Sequence, residues 1–205
     1  MRTFVSKSLE SWPLLGTLAV ILIAATAAAY GLAAGDSDGL RSIIRLTART
    51  SLALFLMAFA AAALAWLVPS GPTRWLRRNR RQLGLSFALS HGIHLVAIIL
   101  LARHDPLLFW QLTNIGNVVS GGLAYLFIAA MAATSFDRSA AWLGPRAWRL
   151  LHWTGGHYVW ISFVVANGKR VPMSAWYLLP VGLLALVLVL RLVARFRVSS
   201  RRATI

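Results

Sequence analysis

Four of the five histidines of this chain, His91, His94, His152 and His157, fall in two apolar segments that are long enough to span a membrane. An imidazole ring is costly to place in hydrocarbon, so a membrane histidine needs a polar partner or a ligand. His91 and His94 are three residues apart and share one helical face. Two segments with paired histidines indicate side chains gathered around a group between helices, and a metal porphyrin is the natural candidate.

The residues around these histidines favour close approach of a flat ring or of another helix. Gly84 and Gly92 keep the first segment small. In the second segment, Gly155–Gly156 lowers helix propensity, which is usually accompanied by close contact with a ligand or a neighbour. The alternative to metal ligation is a hydrogen bond to a neighbouring helix, and for His152 a position near the membrane boundary. His104 lies in a predicted outer loop, where solvation is the simplest interpretation.

The composition is that of an integral membrane protein, because 59% of the residues are hydrophobic and only 13% are charged. Residues 1–205 are therefore predicted to form a single membrane domain. The absence of cysteine excludes disulfides, thiolate metal sites and covalently attached haem. The net charge of +16 does not indicate a nucleic-acid partner, because the basic residues lie between the apolar segments, as in a basic cytoplasmic rim.

Runs of about 20 apolar residues predict an all-α bundle of six transmembrane helices in a lipid bilayer. The predicted spans are Trp12–Ala34, Ile43–Val68, Gln82–Leu101, Asn117–Phe136, Ala147–Ala166 and Ala175–Phe196. Most Lys and Arg residues lie at the N-terminus, in the second and fourth connections and in the C-terminal tail. The chain is therefore expected to be a multi-pass protein with both termini in the cytoplasm.

All acidic residues lie at or outside the ends of these spans, which disfavours a proton- or cation-coupled transporter. They are Glu10, Asp36, Asp38, Asp105 and Asp137.

Two motifs resemble a known family. The segment Arg80-Arg81-Gln82-Leu83-Gly84-Leu85 is followed by His94 ten residues after Gly84, and Leu143-Gly144-Pro145-Arg146 leads to His152. Both are similar to the ferric reductase-like transmembrane domain, with a core over about 43–166. The likeness is nearest to the bacterial branch that includes the haem-binding membrane subunit of the periplasmic methionine-sulfoxide reductase system. The resemblance implies b-type haem between the third and fifth helices, with His94 and His152 as candidate axial ligands to iron.

The chain departs from the family pattern at two positions. Members usually carry two histidines on each haem helix, but here the earlier position of the third helix is Arg80 and the later position of the fifth is Val165. The usual complement is reduced to His94 and His152, with His91 and His157 as alternates at other positions.

The depth of these histidines limits how they can pair. If Arg80 and His152 lie level, His94 is about 21 Å deeper than His152 at 1.5 Å per residue. Axial nitrogens of one iron lie about 4 Å apart, so these two histidines cannot easily share a haem. His91 and His157 differ in depth by about 9 Å. Two arrangements stay open: His91 or His94 pairs with His157, or each haem has one protein ligand.

These observations predict a haem-binding electron-transfer protein of the bacterial inner membrane, holding one or two b-type haems. Electrons would pass from a quinol or a flavoprotein to ferric iron or a periplasmic redox enzyme. The chain has no dinucleotide-binding glycine motif, so it is expected to be an oxidoreductase component that needs a redox partner, with any quinone or flavin supplied through that partner. The alternative, favoured by Val165, is a non-enzymatic membrane scaffold or assembly factor that has lost haem.

Overall fold

The computed structural model of the chain describes residues 10–203, with side chains described to residue 197. Within this part of the chain the regular structure is entirely helical, without a β-strand. The α-helices are α1 (Ser11–Gly31), α2 (Asp36–Leu67), α3 (Gly71–Arg78), α4 (Arg80–His104), α5 (Pro106–Leu112), α6 (Ile115–Ala133), α7 (Asp137–Leu143), α8 (Pro145–Gly168) and α9 (Leu178–Ala203). Two 3₁₀ turns, Val171–Met173 and Ala175–Tyr177, precede α9.

Five segments of the described chain are long and apolar enough to cross a membrane: α1, α2, α4, α6 and Ala175–Arg197, which contains most of α9. This confirms the predicted all-α, polytopic membrane fold. With 24 residues, α8 has sufficient length but is less apolar, because Arg146, Arg149 and two histidines lie in it. It nevertheless runs beside α6 from end to end, since Trp148 Nε1 donates to the Thr134 carbonyl at 2.9 Å and Lys169 Nζ donates to Asn117 Oδ1 at 3.2 Å.

Polar side chains fix several helix ends. Ser70 and Thr73 form a capping box at the start of α3, in which each side chain accepts a hydrogen bond from the backbone N–H of the other residue. The Asp105 carboxylate accepts a hydrogen bond from Leu108 N and so begins α5, while the Asn114 side chain accepts from Asn117 N at the start of α6. These caps satisfy amide groups that an α-helix leaves unpaired at its first turn.

The long helices form a ring with α2 as the most extensively packed member. Helix α2 contacts α1, α4 and α9; α9 contacts α8, α8 contacts α6, and α6 contacts α4. Helices α4 and α8 therefore face each other across the ring. Its centre is filled by buried phenylalanines, since the ring of Phe55 lies 5.0 Å from that of Phe59, 5.5 Å from that of Phe87 and 5.4 Å from that of Phe163.

Helices α1, α4 and α8 begin on one side of the bundle, where α6 ends. The Ser11 amide donates to Asn79 Oδ1 at 2.7 Å, and Arg81 forms a 2.8 Å ion pair with Asp137. Five exposed arginines lie at the end of α3 or in the first turns of α4 and α8, and we call this the basic side of the bundle: Arg77, Arg78, Arg80, Arg146 and Arg149. Because α4 and α8 run in the same direction, residue numbers along them measure depth on one scale.

Candidate functional site

His91 and His94 form a stacked pair of rings on α4. Their centroids are 5.1 Å apart, with 15° between the ring planes. The His91 ring also lies 4.9 Å from the ring of Tyr125 on α6 and 5.9 Å from that of Phe163 on α8. Its Nδ1 atom is buried without a hydrogen-bond partner among the described residues. This leaves an unused imidazole nitrogen in the interior of the bundle.

His94 is held by α2. Its Nδ1 atom lies 2.9 Å from Thr47 Oγ1, and Thr47 Oγ1 in turn donates to the Ile43 carbonyl at 2.6 Å. Because a hydroxyl has one hydrogen, this arrangement assigns the donor role in the first contact to His94 Nδ1–H. The Nε2 atom of His94 then carries a free lone pair, as a metal-binding imidazole requires.

His157 has the same tautomer for a simpler reason. Its Nδ1 atom lies 2.6 Å from the carbonyl oxygen of Trp153, one turn earlier on α8. A carbonyl can only accept, so Nδ1 carries the hydrogen and Nε2 carries the lone pair. The ring is fixed between Trp153 at 4.6 Å and Phe59 at 5.5 Å. A histidine oriented by a hydrogen bond to a backbone carbonyl is the usual form of a metal ligand.

His152 differs from the other three histidines because its Nε2 atom is in use. This atom lies 3.2 Å from Thr134 Oγ1, and that hydroxyl donates to the Ala130 carbonyl at 2.7 Å. The single hydroxyl hydrogen again assigns the donor role to the histidine. The ring also stacks on Trp148 at 4.2 Å. His152 thus ties α8 to α6 near the basic side, and iron ligation by His152 stays a prediction that requires Nδ1 or the loss of this bond.

The helix register separates the histidines into levels. Phe163 touches the His91 ring, so it marks the level of His91 on α8. His157 lies six residues before Phe163, which is about 9 Å nearer the basic side. His152 lies eleven residues before Phe163, about 16 Å nearer that side. These offsets in depth exceed the separation of about 4 Å that two axial nitrogens of one iron require, so the α4 histidines do not lie level with those of α8.

The glycines near the histidines fall into two kinds. A Cβ atom on Gly155 would lie 3.0 Å from Met131 Sδ and 3.1 Å from Phe127 Cδ1, so this glycine admits α6. A Cβ atom on Gly156 would lie 3.5 Å from Phe59 Cε2, which is an ordinary van der Waals contact. A Cβ atom on Gly84 or Gly92 would meet nothing within 4 Å, so these positions leave open space beside α4.

These features fit a haem bound through one imidazole, and they do not fit one haem bound by both α4 and α8. His94 and His157 each present a free Nε2 atom on an oriented ring, and His91 adds a buried nitrogen without a partner. Clusters of three or more His, Cys, Asp or Glu side chains suitable for another metal ion do not occur in the described residues.

Val165 occupies a position where the family pattern has a histidine, and it does not face this site. Its side chain is 46% exposed on the outside of the bundle. A histidine at this position would therefore point away from the ring interior in the present arrangement.

Arg191 on α9 is a functional candidate that the sequence analysis did not single out. Its Nη1 atom donates to the Phe59 carbonyl at 2.8 Å, and its guanidinium lies 3.9 Å above the Phe59 ring, which also touches His157. Arg80 is close enough to repel the Arg191 guanidinium. The described contacts of Arg191 include no carboxylate. The sequence does place Arg191 five residues before the end of the predicted span Ala175–Phe196, and a charge inside a span is a signal of function.

The fold and the site together define a polytopic helical membrane protein with oriented, partly buried imidazole groups. Residues 47–166, more than half of the chain, match the family described as ferric reductase like transmembrane component. The chain belongs to this family, and membership indicates membrane electron transfer. Comparison with curated proteins and with solved structures finds no match. The predicted family is confirmed, and the nearer likeness to the methionine-sulfoxide branch stays a prediction.

Proposed function

We propose that this protein is a b-type haem-binding electron-transfer component of the bacterial inner membrane. It would take electrons from a quinol or a flavoprotein and pass them to an acceptor on the outer side. The observation that carries the proposal is the pair of oriented imidazoles, His94 and His157, each with a free Nε2 atom inside a ferric reductase-like bundle.

The levels of the histidines favour one protein ligand for each haem. His157 would hold a haem in the half of the bundle near the basic side, and His91 or His94 would hold one in the other half. A bound haem supplies an iron centre that accepts and releases one electron. Haems at two levels along the helix axes would divide electron transfer across the membrane into shorter steps.

The surrounding residues orient the ligands and exclude water. The Trp153 carbonyl and the Thr47 hydroxyl hold the Nδ1 hydrogens of His157 and His94, which fixes the tautomer whose lone pair lies on Nε2 and directs that atom away from these partners. Phe55, Phe87 and Phe163 keep the centre of the bundle apolar. An apolar environment and fixed axial ligands are the means by which a protein sets a haem potential.

The donor and the acceptor would be supplied by partner proteins. The exposed arginines of the basic side favour a donor that carries anionic groups, such as a flavoprotein with its flavin phosphate. The resemblance to the methionine-sulfoxide branch favours a periplasmic redox enzyme as acceptor, with ferric iron as the alternative. Any quinone or flavin would be bound together with these partners.

An absorbance spectrum of the purified protein tests the proposal. We expect a Soret band in the oxidised protein and a b-type difference spectrum after dithionite reduction, with iron at one or two atoms per chain. Protein purified from haem-replete cells without a Soret band or bound iron would contradict the proposal.

A non-enzymatic scaffold that has lost haem is the second candidate, and two observations favour it. The phenylalanines fill the space between α4 and α8, and Val165 faces outward at a position that carries histidine in the family pattern. The same spectrum distinguishes the two candidates, since a scaffold would be stable, folded and colourless.

A further inference from the structure

Arg191 carries a positive charge inside a membrane-spanning segment. Its guanidinium is held at the level of Phe59, where Nη1 donates to the carbonyl at 2.8 Å and the guanidinium carbon lies 3.9 Å from the centre of the ring. Phe59 lies eight residues before the end of α2, which is about 12 Å at 1.5 Å per residue. A guanidinium has five N–H groups, so these contacts leave most of its donors unused. A charged side chain at this depth is expected to have a counter-charge.

The acidic side chains of the protein do not supply this counter-charge. The chain has five of them, and each has another partner: Glu10 with Arg78, Asp36 with Tyr30, Asp38 with Arg41, Asp105 with the Leu108 amide and Asp137 with Arg81. Those at positions 36, 38 and 105 also lie at the opposite end of the bundle from the basic side. The negative charge that Arg191 lacks must therefore come from a bound group.

A second arginine adds to this requirement. Arg80, at the start of α4, is close enough to repel Arg191, and it also lies near His152 on α8. Two positive charges held near each other raise the free energy of the bundle unless an anion lies beside them. The side chains can be reached by such a group, since Arg80 is exposed and Arg191 and His152 are partly exposed.

The depth of Arg191 identifies the kind of anion. The phosphates of lipids lie outside the hydrocarbon core, so they do not reach a guanidinium that is fixed at the level of Phe59. His157 does lie at this level. The guanidinium carbon is 3.9 Å from the Phe59 ring centre, which is 5.5 Å from that of His157, so Arg191 and the imidazole are no more than about 9 Å apart. A group bound to His157 can therefore present its carboxylates to Arg191.

We propose that Arg191 and Arg80 bind the propionate carboxylates of the haem that His157 holds. Carboxylates are the groups that guanidinium binds best, through paired and charge-assisted hydrogen bonds. Phe59 positions the Arg191 side chain, because its carbonyl and its ring fix one edge and one face of the guanidinium. The inference rests on the proposed function, since it requires haem at His157. It adds a cofactor-binding role for two arginines and a reason for a charge inside α9.

A comparison of two porphyrins tests the proposal. Haem b carries two free propionates, and haem dimethyl ester has the same iron and ring without their charges. Haem-free protein is titrated with each in one detergent, and the Soret absorbance gives the two Kd values. Their ratio, ester over haem b, is the preference for carboxylates. His157→Ala shows which phase of the titration belongs to this site, and comparing variants in the same detergent cancels the different solubilities of the porphyrins.

We expect the preference of the wild-type protein to exceed that of Arg191→Gln by about 10–100-fold, as charged hydrogen bonds of this kind predict. Glutamine retains an N–H donor for the Phe59 carbonyl and removes the charge. Arg195→Gln is the matched control, because it removes one charge from an exposed position of the same helix and should keep the wild-type preference. A purely structural role of Arg191 would weaken binding of both porphyrins alike, and that result would overturn the proposal.

Arg80→Gln is a second test at an exposed position, where folding does not depend on the side chain. We expect its preference to fall by about two- to fivefold, as for a solvent-exposed ion pair. An unchanged preference in either folded arginine variant would contradict the proposal. Wild-type protein that binds neither porphyrin would contradict the proposed function together with this inference, whereas haem binding that is insensitive to both arginines would contradict this inference alone.

Discussion

Replacing His152 and His157 separately distinguishes the ligand favoured by geometry from the one implied by the family pattern. The structure gives His157 a free Nε2 atom and gives the Nε2 atom of His152 to Thr134. We therefore expect His157→Ala to lose the haem nearest the basic side, and His152→Ala to keep it.

The expected effect of His152→Ala is instead on stability. The variant loses one hydrogen bond to Thr134, worth about 0.5–1.5 kcal/mol. It also loses the stacking of the imidazole ring on Trp148, which is worth about 0.5–1.5 kcal/mol. Together these losses predict a destabilisation of about 1–3 kcal/mol, without a change in the number of haems bound. His152→Gln is the matched control, because its side-chain amide retains an N–H donor.

The assay combines two measurements on each variant. Haem per chain is obtained from the reduced pyridine complex and the protein concentration, and stability from thermal unfolding in a fixed detergent. Loss of haem in His152→Ala together with its retention in His157→Ala would refute the assignment and would restore the ligand of the family pattern.

Three further predictions test particular contacts. Thr47→Val removes the hydrogen-bond partner of His94 Nδ1, so we expect haem binding at His94 to become about 10–100-fold weaker in a haem titration. Thr50→Val is the control, because the Thr50 hydroxyl does not contact the His94 ring. Arg191→Leu removes the carbonyl bond and the stacking on Phe59, so a destabilisation of about 1–3 kcal/mol is expected in thermal unfolding, whereas an unchanged midpoint would show that this guanidinium contributes nothing. Gly84→Ala should stabilise the protein by about 0.5–1 kcal/mol, because the added Cβ has free space and helix propensity improves. Gly155→Val should destabilise the protein, because the added side chain would collide with α6. A higher thermal midpoint for Gly155→Val than for Gly84→Ala would contradict this packing.

The helical fold could be predicted because the long helices other than α8 each carry a strong apolar signal. The residues at which the helices begin and end were less predictable. Helix α2 begins at Asp36, well before the predicted Ile43, because Asp36 and Asp38 stabilise its first turn and Asp38 pairs with Arg41 at 3.1 Å. Polar residues of this kind extend a helix beyond the hydrocarbon, where hydropathy gives no signal.

The depth of the histidines could also be predicted, since rise per residue is nearly constant along parallel helices. The tautomers could not. The hydroxyls that decide them, Thr47 for His94 and Thr134 for His152, lie on other helices and become neighbours only through tertiary packing. Spacing within a helix carries no information about such partners. The role of Arg191 was missed for the same reason, because its contact with Phe59 joins α9 to α2.

Helix α8 has a consequence for the order in which the protein is assembled. It carries His157 but lacks the hydropathy of the other long helices. Polar side chains raise the free energy of placing an isolated helix in a bilayer, so α8 depends on its neighbours to remain there. Those neighbours are α6, which packs closely against Gly155, and α9. The Leu184 carbonyl of α9 accepts a hydrogen bond from Trp160 Nε1 at 3.0 Å. Helix α9 leaves the ribosome after α8 and its described part carries no histidine, yet its arrival completes the insertion of the helix that holds His157.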